Sequence, residues 1–183
     1  QTRFSLSANG ESAGEFTLSL PGAHNVLNAV AVIALSRELQ IPMETIRNVL
    51  PTFLGIKRRF ELKADLAGIT IIDDYAHHPT EIQNVLQTTL YKYPGRRIWT
   101  VFQPHQYSRT RFLLNDFAES LRASDCVILP EIVFVRDTER DRQLVSAKDL
   151  AREIRVMGGN AVFVPTLENI CLLYTSPSPR DLA

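Results

Sequence analysis

Cysteine is nearly absent from the chain: Cys126 and Cys171 are the only two in 183 residues, set among apolar neighbours with no CxxC spacing and no histidine-rich stretch beside them. A disulfide framework and a cysteine zinc site are thereby excluded, and both thiols are expected to be free and buried. Net charge is absent too, since 20 Lys+Arg balance 20 Asp+Glu. Without a prevailing sign there is no general field for polyanions, so nucleic acid is not an expected partner, although local basic sites remain available. No run of about 18 apolar residues occurs, which excludes a membrane-spanning helix; the longest apolar stretch, Ala29 to Leu35, suits a buried helix. The opening Gln1-Thr-Arg-Phe-Ser lacks a signal-peptide pattern, and glutamine in place of methionine suggests a fragment whose natural start lies elsewhere. Missing as well is a G-x-x-x-x-G-K-[ST] phosphate loop, the element that cradles the β and γ phosphates of ATP.

What is present is the composition of a globular protein, 45% hydrophobic and 22% charged, in a length that suits one average domain or two small ones. Thr2 to Ser7 and Glu15 to Leu20 alternate polar and apolar residues around Asn9-Gly10, which predicts a hairpin. Helices are expected from His24 to Leu39 and from Met43 to Leu50, packed on each other. After Pro51 comes a basic, Gly-containing junction, taken as a domain boundary. Beyond it the sequence predicts a hairpin of Phe60 to Leu66 and Ile69 to Asp73, then helices Pro79 to Tyr91, Arg111 to Arg122 and Ser146 to Met157, the last with a capping box of Ser146 and Asp149. Strands are expected at Arg97 to Gln103, Cys126 to Leu129 and Ala161 to Val164. This alternation implies an α/β fold, a Rossmann-like, mostly parallel sheet flanked by helices, with ligands beyond the carboxyl ends of the strands. Asp73 to Thr80 and Gln103 to Arg111 are expected to share that rim. The Ser- and Pro-rich tail from Cys171 resembles a translated sequencing adapter and is expected to be non-native.

All four histidines fall in three polar clusters: His24, the pair His77 and His78, and His105. Adjacent histidines on an extended segment point apart and no further ligand spacing follows, so metal chelation is disfavoured. Asp73 or Asp74, ending an apolar strand, suits a ribose, or else a helix cap ahead of Pro79. Arg58 and Arg59, and likewise Arg109 and Arg111, either solvate their segments or recognise phosphate or carboxylate in bidentate fashion. Asn25 and Asn28 share a helix face and either cap the helix or read an adenine edge.

The segments PGAHNVLN, GIKRRF, DDYAHHPTEI and FQPHQYSRTR, in this order, resemble the Mur ligase family over about Thr2 to Ile170. The FQPH..SRT segment points to the branch that joins L-alanine to UDP-N-acetylmuramate in peptidoglycan precursor synthesis and separates it from the murein-peptide recycling branch. The resemblance implies a bacterial cytoplasmic ligase of three domains, for UDP, for ATP, and for the amino acid. It implies that residues 1–51 end the central ATP-binding domain as an α+β piece, 52–59 form the junction and 60–170 form the C-terminal domain; 171–183, the adapter-like tail, stand outside it as non-native or, alternatively, as an ordinary flexible terminus. In the family, ATP phosphorylates the muramate carboxylate and the alanine amine attacks the acyl phosphate, with Mg2+ neutralising phosphate charge. By motif, His24, Asn25, Asn28, Arg59 and Asp74 match ATP contacts, and Tyr75, His77, His105 and Arg109 match the L-alanine pocket. Gln106 stands where some relatives carry arginine. The family's upstream magnesium and phosphate ligands have no counterparts here, so these residues alone are expected to be inactive. A non-catalytic nucleotide- or amino-acid-binding module is the alternative.

Overall fold

The computed structural model describes residues 1–175 of the chain. They divide into two compact units, one of Gln1–Ala76 with Gln87–Lys92, the other of His77–Leu86 with Tyr93 onward.

In the first unit, strands β1 (Thr2–Ala8) and β2 (Glu11–Leu18) pair antiparallel. Asn9 and Gly10 both take positive φ, 53° and 84°, as a two-residue hairpin turn of primed type requires. Phe4 lies directly opposite Phe16, with ring centroids 5.7 Å apart. Helix α1 (Ala23–Glu38) and helix α2 (Met43–Val49) close the hairpin's apolar face, where Phe16, Leu18, Ala29, Ile33, Ile46 and Leu50 form one buried cluster. The two helices thus meet through a shared core. Strands β3 (Glu61–Leu66) and β4 (Ile69–Asp73) form a separate antiparallel pair, turned by Ala67 and Gly68 at positive φ.

The second unit contains a parallel sheet of β5 (Trp99–Val101), β6 (Cys126–Leu129) and β7 (Ala161–Phe163), in that spatial order. Every residue of β6 is buried, as a central parallel strand demands. Cys126 and Ile128 on one face join Val164 and Ile170 in a buried cluster; Val127 and Leu129 point to the opposite face. Helix α3 (Pro79–Lys92) begins in this unit and ends in the first. It is followed, in chain order among the other elements, by α4 (Tyr107–Phe112), α5 (Leu114–Leu121), α6 (Glu139–Leu144), α7 (Ala147–Val156) and α8 (Leu167–Thr175). The α/β class and the helix-flanked parallel sheet agree with the sequence reading.

Three expectations need correction. The expected hairpin of β3 and β4 forms, but it is a sheet of its own, so the segments after β4 and β5 do not leave one common sheet. The single helix expected from Arg111 is two, broken at Leu113 (φ −109°, ψ 22°), and it starts four residues earlier, at Tyr107. Cys171 is exposed on α8; only Cys126 is buried. Helix α8 runs past Cys171 to Thr175, while residues 176–183, where the rest of the anomalous tail falls, lie outside the described residues.

Burial, with the nearby Asp125 charge adding to it, pushes the Cys126 thiol above its ordinary pKa. A thiol held neutral is a poor nucleophile. Titration of the native chain with a thiol reagent at pH 8 is expected to modify Cys171 rapidly and Cys126 only after unfolding; fast reaction of both would contradict the packing of β6.

The Ser146–Asp149 capping box is present as the spacing predicts: Ser146 donates its N–H (2.9 Å) and Oγ (2.7 Å) to Asp149 Oδ2, and Asp149 N–H returns to Ser146 Oγ at 3.3 Å. These bonds, led by the Ser146 hydroxyl and joined by Arg152, outweigh partial burial and hold the carboxyl below its ordinary pKa. A depressed carboxylate stabilises above its unfolded pKa, about 3.9, and loses that contribution as pH falls through the folded value. Asp149→Ala should therefore cost about 1 kcal/mol at pH 7, a typical cap. Denaturant melts should show that difference shrinking below about pH 4, and a difference that grows in acid would refute the capping account.

Candidate functional site

In the first unit, two arrays surround the residues singled out by sequence. Gly22, the N-cap of α1, has φ 96°, and a Cβ there would stand 2.7 Å from both His24 Cε1 and Thr88 Oγ1. Glycine is what lets the chain pass this close to the His24 ring. Asn25 donates Nδ2–H to the Pro21 carbonyl at 2.7 Å, so its amide nitrogen serves the helix start and its carbonyl oxygen is left for other partners. Asn28 is exposed, one turn further along.

The second array is the turn at Arg58–Phe60, bracketed by the end of β4. Arg58 and Phe60 both sit at positive φ, 58° and 49°, unusual for non-glycine residues. Asp74 holds the turn: Oδ2 accepts the Phe60 N–H at 2.7 Å and Oδ1 accepts the Ala76 N–H at 2.8 Å. Tyr75 N–H donates to the Arg58 carbonyl (2.8 Å), and Arg58 N–H to Glu61 Oε2 (2.8 Å). The Arg58 guanidinium lies over the Tyr75 ring at 4.7 Å and 3.9 Å from Asp73 Oδ2. Arg59 is exposed between the two strained residues, and its guanidinium makes no hydrogen bond or ion pair among the described residues. Of the two arginines, Arg58 is engaged locally and Arg59 is presented outward.

In the second unit, His77 and His78 begin α3. Both N–H groups donate to Glu81 Oε2, at 2.9 and 3.3 Å, and His77 Nδ1 lies 3.5 Å from that oxygen. The His78 carbonyl accepts the Ile82 N–H, with Pro79 at the first helical position. The HHPTE segment is thus a helix start in which Glu81 takes the capping-box role.

The other polar segment leaves β5. Because β5 and β6 are parallel neighbours, the loops at their carboxyl ends run side by side. Val133 N–H donates to the Pro104 carbonyl (2.9 Å), Gln106 N–H donates to the Val133 carbonyl (3.1 Å), and His105 forms an isolated bridge with Val133. His105 is exposed. Helix α4 then starts within the motif, so Arg109 belongs to its first turn and not to a loop ahead of a helix. The Arg109 side chain is half-buried, and no hydrogen bond or ion pair reaches its guanidinium among the described residues. Arg111 instead covers the Phe112 ring at 4.5 Å.

Asp137, which the sequence did not single out, accepts the Tyr107 N–H (2.7 Å), the Ser108 N–H (3.1 Å) and the Ser108 hydroxyl (2.7 Å). Burial pushes its carboxyl up, but these bonds and one from the Val135 N–H together hold it below the ordinary range. Glu81 could have been found from its spacing after Pro79. Asp137 could not, since 29 residues separate it from Ser108 and only the sheet brings them together.

His24, Asn25, Asn28, Arg59, Asp74 and Tyr75 therefore lie in the first unit, and His77, His105 and Arg109 in the second. No group of three or more His, Cys, Asp or Glu able to hold a metal ion occurs among the described residues. No helix among them is long and apolar enough to cross a membrane.

The family described as "Mur ligase, glutamate ligase domain" matches residues 58–181. A UDP-N-acetylmuramate–L-alanine ligase from Lachnospira eligens is 46% identical over 167 residues, covering 91% of this chain and 36% of that protein. Its counterpart from Desulfitobacterium hafniense is 46% identical over 176 residues, covering 96% and 39%. Among solved structures, UDP-N-acetylmuramate-alanine ligase from Thermotoga maritima superposes with a TM-score of 0.73 at 31% identity, covering 93% of this chain and 37% of that one. A murein peptide ligase from Psychrobacter arcticus gives 0.68 at 26% identity, covering 96% and 36%. The chain spans little more than a third of the length of these relatives.

Proposed function

Because the chain belongs to the Mur ligase family, we propose that it is part of an ATP-dependent ligase that joins L-alanine to UDP-N-acetylmuramate through an acyl phosphate. In this reading residues 1–51 complete an ATP-binding domain, 52–59 join it to the next, and 60–170 form the domain that brings the amino acid. The single observation that carries the amino-acid end is Arg109: a half-buried guanidinium in the first turn of α4, the helix that follows the carboxyl end of β5, with no protein partner among the described residues. Its planar fork suits a free carboxylate. His105 and His77, in the same unit as Arg109, would complete the amino-acid contacts of that unit.

ATP fits the donors on the other unit. Arg59, presented without a protein partner, would meet phosphate; Asp74 would meet the ribose; His24, Asn25 and Asn28 would meet the adenine side. Mg2+, which accompanies ATP in this reading, is assigned to ligands in the upstream part of the ligase. Both substrates and ATP place the reaction in the bacterial cytoplasm.

The 183 residues alone, which contain no phosphate loop, are expected to give no ligation. Exchanged for the matching segment of the Lachnospira eligens relative, they should support ATP- and UDP-N-acetylmuramate-dependent incorporation of L-alanine. A folded hybrid that uses another acceptor and ignores L-alanine would sink the specificity, and turnover by the 183 residues alone would sink the division of labour.

A further inference from the structure

We infer that Asp137 is the positioning residue of the amino-acid end: its carboxylate fixes the junction between β5 and α4 that carries His105 and Arg109. The inference rests on the reading of Arg109 as the anchor of the amino acid's carboxylate.

Helix α4 has six residues, too few to hold its own shape. Its first turn needs outside partners for its N–H groups, and Asp137 supplies them for both Tyr107 and Ser108 while also accepting the Ser108 hydroxyl. Both sides of this junction are strained. Gln106, the N-cap, has φ 70° and ψ 122°, and Arg136, next to Asp137, has φ 56°. Such conformations persist only where the surroundings over-determine them. Here they do: Val133 clamps the backbone on both sides of His105, and the Thr110 hydroxyl and N–H both return to the Gln106 carbonyl, at 2.8 and 3.0 Å. Arg109 follows Ser108 directly, so a rotation of its Cα–Cβ bond about the helix axis must break the Asp137 bonds. Without Asp137, only the Val133 and Thr110 bonds oppose the strain at Gln106, the first-turn N–H groups lose their partner, and the turn bearing Arg109 frays first. The carboxylate is held by three donors of α4 and is not itself offered to substrate.

The test uses the isotope-labelled 183-residue chain in solution. In Asp137→Ala, amide exchange at Tyr107 and Ser108 is expected to accelerate at least about tenfold as the bonds are lost. The Arg109 side-chain and His105 ring signals should shift, and L-alanine, titrated into the same sample, should bind about tenfold more weakly. Asp141→Ala, which removes the capping box of α6 with Thr138, should leave Arg109, His105 and L-alanine affinity where they were. If Asp137→Ala does not fold, Asp137→Asn, which keeps one acceptor oxygen, is expected to show the same changes in smaller degree. Unmoved Arg109 and His105 signals in a folded Asp137 variant overturn the inference, as does an equal response to Asp141→Ala. Failure of the unsubstituted chain to bind L-alanine overturns the amino-acid reading instead, while exchange and side-chain signals still decide the role of Asp137.

Discussion

Arg109→Ala is expected to raise the KM for L-alanine about 30- to 140-fold in the hybrid ligase, the equivalent of about 2–3 kcal/mol for a charge-assisted pair of hydrogen bonds. The figure follows from the state of the guanidinium, half-buried on α4 and without a protein partner. A substrate carboxylate arriving there meets a cation that needs no prior bond broken, so most of the interaction is retained as binding. Since the carboxylate itself forms and breaks no bond when the amine attacks, the loss is uniform binding and should appear in KM more than in kcat. The KM for ATP should stay within about twofold, because a contact absent from the nucleotide cannot be lost from it. Arg109→Lys keeps the charge but not the planar fork and should fall between the two. An unchanged KM for L-alanine in Arg109→Ala removes this side chain from the pocket.

The contrast between Arg109 and Asp137 shows what a single sequence carries. Arg109 stands inside a compact motif, next to a strand whose alternation and a helix whose amphipathy are local properties. The helix start at Tyr107 was missed because its N–H groups are satisfied from 30 residues away, by a carboxylate no local pattern announces. The β3–β4 hairpin is legible locally, in Ala67-Gly68 between two apolar runs; that it stands apart from the parallel sheet is not, because distant pairing decides it. Capping boxes, by contrast, act within four residues, and the one at Ser146 is found where its spacing places it. Cys171 is misread because apolar neighbours along the chain do not fix which face of a helix a thiol takes, and here the thiol is exposed.

Asp74→Ala separates the ribose role expected from the sequence from the turn-holding role seen in the structure. If Asp74 only met a ribose, the variant would lose nucleotide affinity and nothing else. In the structure both its oxygens are already committed to the Phe60 and Ala76 N–H groups. Removing it leaves two partly buried donors unsatisfied, at about 1–3 kcal/mol each for full burial and less here because the site is only half-buried. It also removes the restraint that keeps Arg58 and Phe60 at positive φ, so part of that cost is returned as the turn relaxes. A net loss of about 2–3 kcal/mol in the stability of the first unit is therefore expected in the absence of any ligand. Arg59, carried between the two strained residues, then loses its fixed direction, and nucleotide affinity should fall about tenfold or more. Arg59→Ala is the necessary partner experiment: it removes the guanidinium but none of the turn's bonds. It should weaken nucleotide binding comparably while leaving the ligand-free melt unchanged within about 0.5 kcal/mol, as an exposed substitution does. Equal ligand-free melts for Asp74→Ala and the unsubstituted protein would show the turn to be held by something other than Asp74, and the ribose role would then have to carry the whole effect.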